Sequence, residues 1–185
     1  MRQVVKRFGL WIGMIGMILL IALDQITKSL AVSHLKNAPA IPLIPGVFEL
    51  SYLENQGAAF GILQGQKTFF VVLTITALII LFFLYVRIPR ETHYGYLRLL
   101  LVLFISGAVG NFIDRCMHDY VIDFFYFSLI NFPVFNVADI YVTMAAVFMI
   151  VLFCFYYKEE DIDMLLGQLM FWKKREKNVD GNRSI

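Results

Sequence analysis

The sequence predicts an all-α membrane protein with four transmembrane helices, a small extracytoplasmic β-element and a C-terminal amphipathic helix. Hydrophobic residues make up 59% of the 185 residues and charged residues only 16%, and the mean hydropathy is +0.71. Soluble domains of this length are less apolar. The net charge of +2 gives no support for a nucleic-acid partner.

Four apolar runs are each long enough to cross a bilayer, which takes about 20 mostly apolar residues. They occupy about residues 8–27, 68–86, 97–113 and 135–157. Residues 1–157 are therefore predicted to form one membrane domain, with an outer loop at about 33–66, and residues 158–185 a cytoplasmic tail.

The first run also fits a cleaved secretory signal peptide, because a basic start precedes an apolar middle. An uncleaved first helix is the preferred interpretation. It gives an even number of spans, which agrees with the basic residues found near both ends of the chain.

The basic residues predict the orientation. Twelve of the sixteen Lys and Arg residues lie before the first run, around the connection between the second and third runs, or after the fourth. By the positive-inside rule, both termini are expected in the cytoplasm and the loops after the first and third spans outside. The other four are Lys28, Lys36, Lys67 and Arg115.

The outer loop and the tail have patterns of their own. Pro and Gly in residues 33–66 forbid a long helix, and the alternation in "VFELSYL" predicts a short strand. In the tail, Ile162, Leu165, Leu166 and Leu169 share one helical face ahead of Trp172 and several lysines. This pattern predicts an amphipathic helix at the membrane interface. Beyond residue 177 a disordered tail fits equally well.

The two cysteines predict neither a metal site nor a disulfide. Cys116 lies beside a charged stretch and Cys154 deep in an apolar run, and their spacing is not that of metal ligands. No cofactor and no metal are expected.

Polar residues at the outer side of the spans are the candidates for a site. Asp24 and Lys28 in "DQITK" are four apart and share a helix face. They predict either a structural ion pair at the helix end or part of the lining of a site. In the outer loop, Asn55 and Gly57 fit a simple turn, although small residues there would also let the backbone lie close to a ligand.

The third span ends in "GAVGNFIDR", in which small residues allow close helix packing. Asn111 is one turn before Arg115, and the two side chains are expected to point together into a cavity between helices. Asp114 fits a solvated helix end or a role in the same site.

Two carboxylates occur in strongly apolar surroundings. Asp123 follows in an apolar loop segment, "VIDFFYF", and Asp139 comes three residues after Asn136 at the start of the fourth span. Either acid alone fits a charge that favours a helix N-terminus. Both together, on the same side of the membrane, are expected to converge.

Two convergent carboxylates share a proton and titrate as a coupled pair. The ionised partner takes a proton from water, and the protonated partner donates a hydrogen bond to a scissile carbonyl. This is the chemistry of aspartic proteases. The sequence has neither an H-E-x-x-H nor a G-x-S-x-G motif.

Taken in order, "DQITK", "NQGAAFG", "GNFIDR", "VIDF" and "FNVAD" resemble the lipoprotein signal peptidase family, signal peptidase II, over about residues 8–157. The resemblance implies that Asp123 and Asp139 are the catalytic aspartates of an aspartic endopeptidase. It implies supporting and substrate- or inhibitor-binding roles for Asp24, Lys28, Asn55, Gly57, Asn111, Asp114, Arg115 and Asn136.

The resemblance also implies the substrate and the setting. The expected substrate is a bacterial prolipoprotein whose cysteine carries diacylglycerol, cut on the N-terminal side of that cysteine. The expected location is the bacterial cytoplasmic (inner) membrane, with the active site on the outer side and in contact with membrane lipids. Globomycin-type peptides are the expected inhibitors, and a monomer is expected.

Two other functions use the same acids. A proton-coupled transporter would arrange Asp24, Asp114, Asp123 and Asp139 as a relay, but the acids are found only near the outer side of the spans and the second span has none. A metal-dependent membrane hydrolase would combine the carboxylates with His118, and resistance to a chelator would exclude it.

Overall fold

The computed structural model describes residues 2–57 and 65–169. The helices are α1 (Arg2–Leu35), α2 (Lys67–Arg87), α3 (Gly95–His118), α4 (Val137–Val151) and α5 (Glu159–Leu169), and the strands are β1 (Ile41–Ile44), β2 (Phe48–Asn55) and β3 (Val121–Tyr126). Single 3₁₀ turns at Thr92–Tyr94 and Ser128–Ile130 and a π-helical turn at Leu152–Tyr156 complete the elements. The predicted tail beyond residue 169, with Trp172, and the second half of the "NQGAAFG" motif lie outside the described residues.

The predicted fold class is confirmed. Four helices in the described residues are long and apolar enough to cross a membrane: Leu10–Leu35, Lys67–Arg87, Thr92–His118 and Val137–Tyr156. The first helix continues eight residues beyond its predicted end at residue 27. Lys28, the first residue of this extension, is buried and paired with acids inside the bundle.

Helix α3 is the central helix of the bundle and packs against α1, α2 and α4. Its contact with α4 depends on a small residue, since a Cβ at Gly107 would lie 2.5 Å from the carbonyl oxygen of Ala138 and 2.7 Å from Val142 Cγ2. The glycine therefore allows the backbones of α3 and α4 to approach closely.

A three-stranded antiparallel sheet in the order β1–β2–β3 lies at the end of the bundle where α1 and α3 end and α2 and α4 begin. We call this the site end. The strand predicted from "VFELSYL" is confirmed as β2, and Pro42 is tolerated because β1 is an edge strand.

Strand β3 corrects one prediction. Asp123 was expected in an apolar loop segment, but it lies in β3, paired with β2 through Leu53. Pairing with β2, whose register shifts between Leu50 and Leu53, thus fixes the backbone that carries this carboxylate. The register also places Asn55 of β2 opposite Val121, two residues from Asp123.

Helix α5 packs against the opposite end of the bundle. Leu165 is buried in a cluster with Tyr94 and Tyr157, and Ile162 packs against the same cluster. Leu166, expected on the same face, is 44% exposed. The amphipathic helix is therefore found, but its apolar face turns toward the aromatic cluster.

Candidate active site

A cavity of about 510 Å³ opens at the site end, between β2, α3, β3 and α4. The predicted residues that line it are Asn55, Gly57, Asn111, Arg115, Asp123 and Asp139. Residues far apart in sequence thus face one space, as expected for Asn111 with Arg115 and for the two acids.

Asp123 is buried in β3 and held from two sides. Asn55 Nδ2 donates to its Oδ2 at 2.8 Å, and Asn136 Nδ2 donates to its Oδ1 at 2.6 Å. Burial, followed by the nearby charge of Asp139, raises the pKa of Asp123 to about 7. Near neutral pH this carboxyl therefore holds a proton much of the time.

Asp139 lies in the first turn of α4, where it forms a capping box with Asn136. The backbone N–H of Asn136 donates to Asp139 Oδ2 at 3.1 Å, and the backbone N–H of Asp139 donates to Asn136 Oδ1 at 3.0 Å. Asn111 Nδ2 donates to the other carboxylate oxygen at 2.7 Å. The rotamer of Asp139 is thus fixed by both α3 and the start of its own helix.

Asn136 joins the two acids. Its backbone N–H donates to Asp139, and its side-chain amide donates both to Asp123 and to Asn111 Oδ1, the latter at 3.1 Å. The residue is fully buried. The two carboxylates are therefore held in a fixed mutual orientation by one neutral side chain.

Arg115 supplies a positive charge to the cavity. Its Nη2 donates to the carbonyl oxygen of Gly57 at 3.2 Å, and its guanidinium lies 4.9 Å from the ring centroid of Phe70. The Gly57 N–H in turn donates to Asn55 Oδ1 at 3.0 Å. Arg115 and Asn55 thus hold the chain that leaves β2 against the cavity.

Asp24, Lys28 and Asp114 lie behind the cavity, outside its described lining. Lys28 Nζ is 3.0 Å from Asp24 Oδ2 and 2.9 Å from Asp114 Oδ2, so the predicted ion pair is confirmed and extends to a third residue. The solvated position considered for Asp114 is wrong, because this residue is 1% exposed. Lys28 also donates to Asn111 Oδ1 at 3.0 Å, which connects the buried charges to the cavity.

Residues of two kinds were not singled out from the sequence. Gln25 joins the buried charges from α1, and an apolar flank of the cavity includes Phe132, Ile140 and Met144. The polarity of Gln25 inside an apolar span was an available signal. The sequence contains no signal for the apolar flank, since apolar residues of α4 look alike in sequence whether they face lipid or a cavity.

The arrangement is suited to general acid–base chemistry. A carboxyl that holds its proton near neutral pH and a second carboxylate face one cavity. The donors around them are asparagine amides and backbone N–H groups, which orient the acids without taking their protons.

Comparisons with known proteins agree on one family. A family model described as signal peptidase (SPase) II matches residues 16–155. Lipoprotein signal peptidases of Streptococcus pyogenes serotypes M5 (strain Manfredo) and M18 (strain MGAS8232) are each 44% identical over 147 residues, which is 80% of this chain and 93% of the relative. Two solved structures described as a bacterial membrane enzyme, at 2.3 and 1.9 Å resolution, are 31% identical. They align with TM-scores of 0.70 and 0.68 and cover 80% and 78% of this chain and 92% and 94% of theirs.

Proposed function

The chain belongs to the signal peptidase II family, and from that premise we propose that Asp123 and Asp139 catalyse its reaction as an aspartic pair. As a member of this family it is a multi-pass membrane peptidase that removes signal peptides from prolipoproteins. The proposal extends this activity to the mechanism, the cleavage site and the membrane side.

The observation that carries the proposal is the common cavity of the two acids. Both carboxylates line it, and both are oriented by hydrogen bonds from the buried Asn136. Aspartic catalysis needs this combination of a shared space and fixed geometry, because both groups must reach one water molecule and one carbonyl.

The proposed reaction begins with Asp123 protonated and Asp139 ionised. Asp139 takes a proton from water, whose oxygen forms a bond to the scissile carbonyl carbon, while Asp123 gives its proton to the carbonyl oxygen. In the second step the C–N bond breaks as Asp139 returns its proton to the leaving nitrogen. The tetrahedral hydroxyl gives its proton back to Asp123, which leaves a carboxylic acid, an amine and the original protonation states.

The proposed substrate is a prolipoprotein with a diacylglyceryl cysteine, cut on the N-terminal side of that cysteine. The leaving nitrogen is then the amino group of the lipidated cysteine. Ile140 and Met144, which flank the cavity, are 38% and 45% exposed on α4. In a membrane this side faces acyl chains, so the lipid of the substrate can stay in the bilayer while its peptide enters the cavity.

The site end is proposed to face outward, with both termini in the cytoplasm of a bacterial cell. The distribution of basic residues supports this orientation. Globomycin is proposed to compete for the same cavity, and the protein is proposed to act as a monomer.

Cleavage of a diacylglyceryl-modified prolipoprotein by the purified protein tests the proposal. We expect a mobility shift on a gel that globomycin blocks and EDTA does not change. The same precursor without lipid should be cut far more slowly. Loss of cleavage in EDTA would favour a metal-dependent hydrolase, and equal rates on both precursors would refute the role of the lipid.

A further inference from the structure

Two buried acids behind the cavity hold the backbone next to each proposed catalytic aspartate. Asp24 Oδ1 accepts the backbone N–H of Ala138 at 2.9 Å, and Ala138 immediately precedes Asp139. Asp114 Oδ2 accepts the backbone N–H of Ile122 at 3.1 Å, and Ile122 immediately precedes Asp123. The separation of the buried acids therefore constrains the separation of the two backbones that carry the site.

Two side chains of α1 bridge these buried acids. Lys28 Nζ contacts one oxygen of each, at 3.0 Å in Asp24 and 2.9 Å in Asp114. Gln25 Nε2 also donates to each, at 3.1 Å to Asp24 Oδ2 and 3.0 Å to Asp114 Oδ1. The Gln25 amide additionally lies 3.2 Å from the Gly110 carbonyl oxygen.

The charge balance gives the Gln25 amide a role beside Lys28 and the two backbone donors. Asp24, Lys28 and Asp114 are each at most 1% exposed, so two negative charges face one positive charge without water. Buried carboxylates without donors are strongly destabilised. The neutral amide of Gln25 donates two N–H groups to the carboxylates without placing another charge in the buried group, as a second ammonium would.

The close approach of α1 and α3 leaves room for this arrangement only because residue 110 is glycine. A Cβ at Gly110 would overlap Asp24 Oδ2 and lie 3.2 Å from Ala138 Cβ. The Asp24 carboxylate is thus in close contact with the α3 backbone at Gly110.

We propose that Gln25 is a positioning residue that, together with Lys28, sets the distance between the backbones carrying Asp123 and Asp139. The inference rests on the proposed aspartic mechanism. Gln25 lies outside the described lining of the cavity, so it acts on the carboxylates through Asp24 and Asp114 and not on the substrate.

The test compares Gln25→Leu and Gln25→Glu with wild type and with a control, Gln168→Leu. Gln168 is exposed on α5, at the opposite end of the bundle. Turnover of the diacylglyceryl-modified precursor is measured with the thermal unfolding midpoint of each variant. Wild-type cleavage and its loss in Asp123→Asn and Asp139→Asn test the proposed function separately, so with these results in hand a failure of the Gln25 predictions concerns Gln25 alone.

In Gln25→Leu we expect kcat to fall roughly ten- to hundredfold, since a displacement of about 1 Å away from the chemistry costs up to about a hundredfold. KM should stay within about twofold, because the lost interaction is felt in the transition state. Gln168→Leu should keep wild-type kinetics.

Gln25→Glu provides a readout that loss of packing would not give. At high pH its carboxylate adds a third negative charge beside Asp24 and Asp114, which Lys28 and, next to Asp114, Arg115 oppose, whereas protonation returns one O–H donor. The ratio of Gln25→Glu to Gln25→Leu turnover should therefore rise as pH falls from about 8 to about 5.5.

Wild-type kcat in folded Gln25→Leu, or a raised KM with kcat unchanged, would overturn the proposal. So would a turnover ratio that does not change with pH. If Gln25→Leu does not fold, Gln25→Glu is compared with wild type over the same pH range. Its relative turnover must then recover on acidification for the proposal to stand.

Discussion

The side-chain amide of Asn136 donates to Asp123 Oδ1 at 2.6 Å, and this bond ties the beginning of α4 to strand β3. The same residue caps α4 through its side-chain oxygen. The geometry of the proposed site and the start of a membrane helix therefore depend on one side chain.

Substitution of either proposed catalytic acid by Asn should nearly abolish cleavage. Asn keeps the size of Asp but cannot exchange a proton, and general acid–base help is worth roughly a hundred- to ten-thousandfold. We expect Asp123→Asn and Asp139→Asn each to lose at least about a thousandfold in single-turnover cleavage of the lipid-modified precursor.

The double variant serves as the control for this experiment. Residues that act as one unit are not additive, so Asp123→Asn/Asp139→Asn should be little worse than either single change. Wild-type turnover in either single variant would remove that residue from the mechanism.

Activity should fall as pH rises through about 7, because the proton that Asp123 supplies is then lost. The cause is the raised pKa of Asp123, about 7 against an ordinary 3.8, which burial produces first and Asp139 second. A pH–rate profile of kcat on the lipid-modified precursor measures this limb. A flat profile between about pH 6 and pH 9 would contradict the role assigned to Asp123.

The same shift predicts how stability depends on pH. The native state favours protonated Asp123, so its contribution to the free energy of unfolding is complete below about pH 4 and is lost as pH rises through about 7. Thermal unfolding of Asp123→Asn should be less sensitive to pH over this range than that of wild type. An identical pH dependence would show that Asp123 does not titrate there.

Gly107→Ala should destabilise the bundle by about 1–3 kcal/mol through overpacking. The added methyl would meet the backbone oxygen of Ala138 at 2.5 Å. Gly167→Ala is the matched control, since nothing lies within 4 Å of its Cβ position in α5. The control should gain about 0.5–1 kcal/mol from helix propensity. The thermal unfolding midpoints of the two variants in detergent test this prediction. Equal midpoints for Gly107→Ala and Gly167→Ala would mean that α3 and α4 are not in close contact.

Topology reporters should place the site end outside the cell. A fusion at Asn131, in the connection between β3 and α4, should report the outer side, and one at Glu91, between α2 and α3, the cytoplasm. The reason is the concentration of basic residues near the opposite end. Reversed signals would put the cavity on the cytoplasmic side and exclude the proposed encounter with exported precursors.

Hydrophobic length and local pattern were sufficient to predict the four spans and strand β2. They did not predict β3, because "VIDFFY" is apolar on both faces apart from Asp123 and its partner strand is over sixty residues earlier in the chain. Strand pairing at such a distance leaves no local periodicity. The end of α1 was missed for a related reason, since the burial of Lys28 depends on Asp114 from another helix.

The residues of the candidate site were easier to predict from the sequence than the buried residues that hold them in place. Polar residues in apolar surroundings pointed to Asp123, Asp139, Asn136 and Asn111 without any knowledge of their contacts. Which polar residues line the cavity and which lie behind it was not predictable. Asp114 and Arg115 are neighbours in sequence, and yet Asp114 is buried behind the cavity while Arg115 lines it. Helix rotation and the position of β3 decide which of the two faces the cavity.

The bond from Ala138 to Asp24 joins residues 114 positions apart. Nearly the whole membrane domain must therefore be synthesised before α4 can form this hydrogen bond with α1. Until then α1 holds an ammonium and a carboxylate that lack their α3 and α4 partners, and Asp139 has no supported position. If Asp123 and Asp139 are the catalytic pair proposed above, activity is thus acquired only at the end of synthesis and insertion, and unfinished chains in the membrane lack the assembled pair.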